Sequence, residues 1–347
     1  MTAMTHHPQD VLLRDIFRLN DEPFVYFDDR QIHELLTADP ELYLDYVRNE
    51  LANIANGISQ MEMPAKQIFH DKHIDGDFRV MPCVIHGKGE SRKTVKLIGT
   101  NIEQKLIPGQ ITVGKAFAIH PTENFISHIF EGCLLSSART GICAALAIDT
   151  LAAPDSRELT IIGAGRVGIY TALYAATYKH IEKIIFLDID QTRAVYAAAF
   201  LAKQFPDKRI EHGRINGNHS TDILVIATTS KKPLCHPEDF TAKLIISLGA
   251  DADDQHELDS SWAENADIFV DTLDSVRYGD LRQWIRDDLI SDKKLTDLLS
   301  LLKNGIPSSR NRTRIFISTG TALFDNITIG YLLHADEKRR IEACQKS

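Results

Sequence analysis

The stretch Leu159-Thr-Ile-Ile-Gly163-Ala-Gly165-Arg166-Val167-Gly168 joins an apolar run, three spaced glycines and the start of a helical apolar pattern. Each glycine answers a separate need. Gly163 permits a tight turn, Gly165 lets a pyrophosphate approach the backbone, and Gly168 lets the helix pack against the strand. The helix N-terminus offers unpaired N–H groups and a partial positive charge, which puts Arg166 and Val167 in the first turn of an anion site. A second strand, predicted over 183–188, ends at Asp188. A carboxylate there is placed to accept from ribose hydroxyls and to repel a 2′-phosphate, so NAD is expected over NADP. Glycine turns also occur as plain punctuation, and Asp188 would serve equally as a helix cap. The apolar strand before the turn and the periodic helix after it favour the dinucleotide. Thr228 and Ser247, each closing a later apolar strand, are expected to line the rest of the crevice.

Arg139 is the other conspicuous group. It stands with Thr140 in Glu131-Gly-Cys-Leu-Leu-Ser-Ser-Ala-Arg139-Thr140-Gly-Ile-Cys-Ala-Ala-Leu-Ala, an almost wholly apolar segment. A guanidinium there needs an anion, because a buried unpaired charge is too costly. A bound carboxylate and a structural ion pair meet that need equally, and the residues alone leave the choice open. His70-Asp71-Lys-His73 also brings ligand types together, but its spacing suits a turn and no further His or Cys pair completes a set, so no metal is expected.

The elements that must position these groups fall into two patterns. From Asp39-Pro40 to Ile58 apolar residues recur at helical spacing, and short strand-like runs follow at 79–85, 94–98, 116–120 and 125–131 without helices between them. That pattern predicts a mixed or antiparallel sheet. A helix is expected from about Ser137 to Leu151, and beyond the Ala-Pro-Asp turn at 153–155 strands alternate with helices. Alternation with near-continuous apolar strands predicts a doubly wound parallel sheet. The resulting fold class is α/β: a Rossmann domain over 141–314, and a second α+β domain over 1–140 completed by the tail 315–347.

Composition narrows the partners. The chain has 347 residues, a net charge of −9 and scattered Lys and Arg, which removes the basic stripe of a nucleic-acid binder. No apolar run or apolar leader suggests a membrane segment, so a cytoplasmic protein acting on a small molecule is expected. The five cysteines are widely spaced and are read as reduced thiols.

Four stretches in order resemble the ornithine cyclodeaminase and mu-crystallin family: Val95-Lys96-Leu-Ile-Gly, Ser137-Ala-Arg139-Thr140, the Gly163 turn, and Gly249-Ala-Asp251-Ala-Asp-Asp-Gln-His-Glu257-Leu258. The tail Ser318-Thr-Gly320-Thr-Ala-Leu-Phe-Asp325 is similar as well. The resemblance implies an amino-acid substrate whose carboxylate is held by Arg139 and Lys96, with its α-carbon facing the nicotinamide of NAD. It implies that Asp251 touches the substrate and, like Lys96, is a catalytic candidate for the proton steps around an imine. It also implies a homodimer through the N-terminal sheet. Lys66, in Met-Pro64-Ala-Lys66, stands where the family has an arginine, keeping a point charge without the bidentate fork. Ala252-Asp253-Asp254 replaces the Pro-Gly-Lys frequent in ornithine cyclodeaminases. That replacement weighs against ring-forming ornithine chemistry, while Lys66 together with Ile98-Gly99-Thr100 and Leu134-Leu-Ser-Ser-Ala-Arg139-Thr140 looks more like the branch that makes 2,3-diaminopropionate for siderophores, whose members oxidise N-(2-amino-2-carboxyethyl)-glutamate with NAD. The alternatives are a cyclodeaminase that releases ammonia and recycles NAD, and a non-catalytic mu-crystallin-like binding protein.

Overall fold

The computed structural model describes residues 12–70, 73, 76–101, 104–215, 218–250, 255–307 and 312–346. The first part of the chain forms β1 (Val25–Phe27), α1 (Asp29–Ala38), α2 (Pro40–Ala55), β2 (Gln60–Glu62), β3 (Gln67–His70), β4 (Gly76–His86), β5 (Ser91–Asn101), β6 (Thr112–Ile119) and β7 (Ile126–Glu131). Helix α2 starts where Asp39-Pro40 predicts, with the Asp39 side chain accepting from Leu42 N at 2.9 Å. The strands assemble into a mixed sheet in the order β1-β7-β6-β5-β4-β2, with β3 also paired to β4. All pairs are antiparallel except β1 with β7.

Helix α3 (Gly132–Leu151) begins earlier than the apolar pattern suggests. The Glu131 carboxylate caps it by accepting from Cys133 N and Leu134 N, a start signal that lies outside the usual Ser, Thr, Asp and Asn set. Among the described residues it is the one helix long and apolar enough to cross a membrane, and it is mostly buried inside the protein. Small residues let it run close to its neighbours: a Cβ on Gly141 would lie 2.7 Å from Thr171 N of the next helix.

The second part forms β8 (Glu158–Ile162), α4 (Arg166–Ala175), β9 (Lys183–Leu187), α5 (Gln191–Gln204), β10 (Arg209–Gly213), β11 (His219–Ile226), β12 (Phe240–Ser247), α6 (Trp262–Asn265), β13 (Ala266–Val270), α7 (Gly279–Arg286), β14 (Thr296–Asp297), α8 (Leu298–Asn304), β15 (Thr313–Ile317) and α9 (Ala322–Lys346). Its sheet is parallel throughout, in the order β10-β9-β8-β11-β12-β15-β13-β14. The chain leaves β8 toward β9 on one side and resumes at β11 on the other. That reversal opens a crevice at the carboxyl ends of β8 and β11, where doubly wound sheets bind ligands.

One expectation is corrected here. The tail does not leave the parallel sheet at residue 315, because β15 is inserted between β12 and β13. Its Ile315, Phe316 and Ile317 are buried on both faces, as a central strand of a parallel sheet requires. Only α9 returns to the first part, packing on β4, β5, α2 and α3.

Candidate functional site

A cavity of about 1360 Å³ lies where the mixed sheet, α3 and the crevice of the parallel sheet meet. Lys66, Lys96, Arg139 and Thr140 line it from one part of the chain, and Gly165, Arg166, Val167 and Thr228 from the other. Ordinary small-molecule pockets enclose roughly 300–1,000 Å³, so this one has room for two ligands side by side. A smaller cavity of about 530 Å³ between Ala263 and Arg312 contains none of the predicted residues.

Lys96 projects from β5 and is 1% exposed. Its Nζ donates to Asp325 Oδ1 at 2.8 Å. Arg139 Nε lies 3.0 Å from the same oxygen, as an ion pair off the line of an aligned hydrogen bond. The guanidinium packs on Gly320, whose φ is +81° and whose added Cβ would meet Arg139 Nη2 at 3.0 Å. A single carboxylate thus serves two buried cations on the cavity wall. Both readings of Arg139 are accommodated: it has its ion pair, and the lysine beside it leaves positive charge facing the cavity. Burial, followed by the repulsion of Arg139, lowers Lys96 to about 8, against the pull of Asp325. Lys66 Nζ donates to Thr319 O at 2.8 Å and sits 3.8 Å from the centre of the Tyr278 ring.

At the glycine turn, the three glycines have distinct surroundings. Gly163 has φ +101°, and a Cβ there would lie 2.3 Å from Ala227 O of the crossing strand end. A Cβ on Gly168 would lie 2.1 Å from Gly163 O. Gly165 has nothing within 4 Å of that position and caps α4 without any side-chain hydrogen bond. An uncapped helix N-terminus beside open space fits the pyrophosphate of a dinucleotide.

A model of the ornithine cyclodeaminase/mu-crystallin family matches residues 28–335. The chain belongs to that family. L-lysine cyclodeaminase of Streptomyces rapamycinicus is 26% identical over 293 residues, covering 82% of this chain and 83% of that one. Delta(1)-pyrroline-2-carboxylate reductase of Bacillus cereus is 26% identical over 280 residues, covering 76% and 82%. Among solved structures, the Thermococcus litoralis Delta(1)-pyrroline-2-carboxylate reductase in complex with NADH and L-proline superposes with a TM-score of 0.79. It is 21% identical, over 91% of this chain and 98% of that one, and supports the fold.

Within this member of the ornithine cyclodeaminase/mu-crystallin family, some predicted residues are placed differently from their expected roles. Both Asp188 oxygens accept from backbone, Oδ2 from Ala164 N at 2.7 Å and Oδ1 from Asp190 N at 2.8 Å. The carboxylate braces the glycine turn. Replacing Asp188 with serine is therefore expected to weaken NADH binding itself at least about tenfold, near 1.4 kcal/mol, beyond any change in NADPH preference. Parallel fluorescence titrations with both nucleotides check this, and an unchanged NADH affinity removes the brace.

Ser247 is a correction. It does not line the cavity; it is fully buried, and its hydroxyl donates to Glu257 Oε2 at 2.7 Å. Thr228 does line the cavity, but its hydroxyl is likewise given to Glu257, at 3.0 Å. Thr140 donates to Ser136 O within α3. Asp251 lies outside the described residues. Asp325 and Glu257 lie in motifs of the family resemblance but carry no role predicted from the sequence. A usable signal existed for Asp325: a carboxylate in the apolar run Ala-Leu-Phe-Asp325-Asn-Ile needs a cation as much as Arg139 needs an anion.

Proposed function

We propose that the chain is an NAD-dependent oxidoreductase acting at the α-carbon of an amino acid or N-substituted amino acid. The observation that carries this reading is the Lys96–Asp325–Arg139 cluster, two cations on one buried carboxylate, set in the same cavity as the uncapped start of α4. Its excess positive charge suits a substrate carboxylate, and Lys66 adds a third cation. Nicotinamide, when bound, would supply or accept the hydride. The chain's own residues do the rest: Arg139 and Lys96 hold the carboxylate so that the α-carbon is fixed, and α3 and the mixed sheet wall off water.

Removing the proton from the substrate nitrogen needs a base working near neutral pH. Asp251 is assigned that task from the sequence, with Lys96 as the second candidate for the proton steps. The finer reading, the branch making 2,3-diaminopropionate for siderophores, rests on Lys66, on Ile98-Gly99-Thr100 and on Leu134-Leu-Ser-Ser-Ala-Arg139-Thr140. A homodimer is also part of the proposal: Phe69 and Phe78 stack at 4.7 Å on the outer face of β3 and β4, both exposed, where a second copy would cover them. Sedimentation as a monomer would remove that part.

The test is NADH absorbance with a panel of amino acids. Net NADH supports the dehydrogenase, whereas ammonia release without NADH establishes the cyclodeaminase reading in its place. The pH profile is a further expected outcome. Lys96 clamps a carboxylate only while charged, and its pKa stands at about 8, below the usual 10.5, so kcat/KM should fall as pH rises through 8. A profile flat to pH 10 would show that the Lys96 charge is not used.

A further inference from the structure

The pairing of β13 with β15 ends at Val270 and Ile317, with Asp271 N donating to Ile317 O at 3.2 Å just past the last pair. Beyond that point the two strand ends part, and one of them carries Thr319 onto the cavity wall. Between them lies the Asp271 carboxylate, 4% exposed and accepting hydrogen bonds on both oxygens. Oδ1 accepts from Thr272 N at 2.8 Å and Ser275 Oγ at 2.5 Å. Oδ2 accepts from Ser318 Oγ at 2.7 Å and Gly320 N at 3.0 Å. The Ser275 and Thr319 hydroxyls join the two sides again, at 3.0 Å.

Each oxygen steadies one wall of the place where Lys66 sits. On the Oδ2 side is the turn 318–320, whose Thr319 carbonyl accepts from Lys66 Nζ and whose Gly320 packs on the Arg139 guanidinium. On the Oδ1 side is the short helical turn Leu273–Arg277, which leads into Tyr278, the ring beneath the Lys66 ammonium. Tyr278 N donates to Ser275 O at 3.2 Å, so the residue bonded to Asp271 also anchors the start of that ring's residue. Lysine depends on such walls, being a compact charge on a flexible stem without a planar fork of its own.

Burying a carboxylate without a cation is costly, and among the described residues no cation pairs with Asp271. Holding the sheet together does not call for it, because the β13–β15 ladder already joins the strands from Ala266 to Val270. What the ionised group supplies is acceptance on both sides at once; an amide of the same size would present donors on one of them.

We infer that Asp271 is a positioning residue of the proposed active site: by tying the turn 318–320 to the turn 273–277 it fixes where Lys66 and Arg139 stand, and so where an amino-acid carboxylate is held. The inference rests on the proposed action at an amino-acid α-carbon. Its effect falls on the carboxylate that all α-amino acids share, so it is independent of the side chain. The glycine turn that would hold the nucleotide is braced separately, by Asp188.

Calorimetric binding of L-alanine, L-proline, L-ornithine and L-glutamate to the full-length protein saturated with NADH tests this without turnover. In Asp271→Asn, every amino acid that binds the wild type is expected to weaken at least about tenfold and by a similar factor, while NADH affinity stays within about threefold. A brace that served only the fold would lower the urea midpoint and leave this split between amino acid and nucleotide unseen. If Asp271→Asn does not fold, Ser318→Ala decides: it keeps the carboxylate, removes one of its donors, and should weaken the amino acids about threefold with NADH unaffected. Wild-type amino-acid affinity in the folded variant overturns the positioning role. So does a loss that NADH shares in equal measure, or one confined to particular side chains; each leaves the α-carbon reading standing. Binding of none of the four to the wild type overturns the α-carbon reading itself, and the role of Asp271 with it.

Discussion

Asp325→Ala is expected to lower stability by about 3–5 kcal/mol, the usual cost of breaking a buried pair from one side, and to weaken substrate binding at least about a hundredfold. Asp325 is 2% exposed and is the shared anion of Lys96 and Arg139. Without it, two largely buried cations face one another without a shared anion, and the attraction that keeps Lys96 charged is gone. Lys96 should then lose its proton at neutral pH, halving the clamp. Urea unfolding and the substrate KM measure the two effects. A double variant, Lys96→Met/Asp325→Leu, separates them: packing the site with apolar groups should return much of the stability, because buried pairs are replaceable, without returning activity. If Asp325→Ala keeps both its unfolding midpoint and its KM, the shared-anion account is wrong.

The parts of the fold that could be read ahead are those where one local force decides. The glycine turn is such a case: Gly163 and Gly168 are required by backbone clashes of 2.3 and 2.1 Å, and no tertiary context overrides that. The strands of the mixed sheet were visible through alternation, although β4 and β5 extend beyond their apolar centres because hairpin pairing carries polar residues such as Asp77 and Thr100 into the ladder. The placement of β15 was not legible. Its apolar run 315–317 suits any buried strand, and only long-range pairing selects the slot between β12 and β13. The same limit hid the partners of charged residues. Arg139 was visible as a cation needing an anion, but Asp325, far along the chain, is supplied by α9 folding back across the mixed sheet. Asp188 and Ser247 sit at the strand ends where a nucleotide-binding crevice is expected. The Ser247 hydroxyl is taken up by Glu257 and the Asp188 oxygens also accept from loop N–H groups, bracing contacts that depend on where neighbouring groups point.

The same bracing makes Glu257 the second position where one substitution should have a large effect. Its side chain is fully buried and accepts five hydrogen bonds: Thr228 N and Oγ1 on Oε1, and Ser247 Oγ, Leu248 N and Gly249 N on Oε2. The carboxylate ties the ends of β11 and β12 together, just before Asp251. Its own backbone is held in turn, since Asp280 accepts from Glu257 N and Leu258 N. Burial pushes the carboxyl up to about 7 against the pull of these donors. A folded value above the usual 4.5 means that the group's contribution to stability is full below 4.5 and is lost as pH rises to about 7. Glu257→Ala leaves the Thr228, Leu248 and Gly249 N–H groups without their acceptor, at about 1–3 kcal/mol each, a total near 5 kcal/mol that takes most of an ordinary domain's margin. Glu257→Gln is the version expected to fold. Its oxygen can face Ser247, Leu248 and Gly249, but its amide then confronts Thr228 N–H, orphaning one donor for about 2 kcal/mol. Because the misplaced strand ends line the nucleotide crevice, NADH affinity should drop at least about tenfold, and the stability change between pH 5 and pH 7 should flatten. A glutamine variant with wild-type NADH affinity and an unaltered pH slope would show that these strand ends are held by their sheet pairing alone.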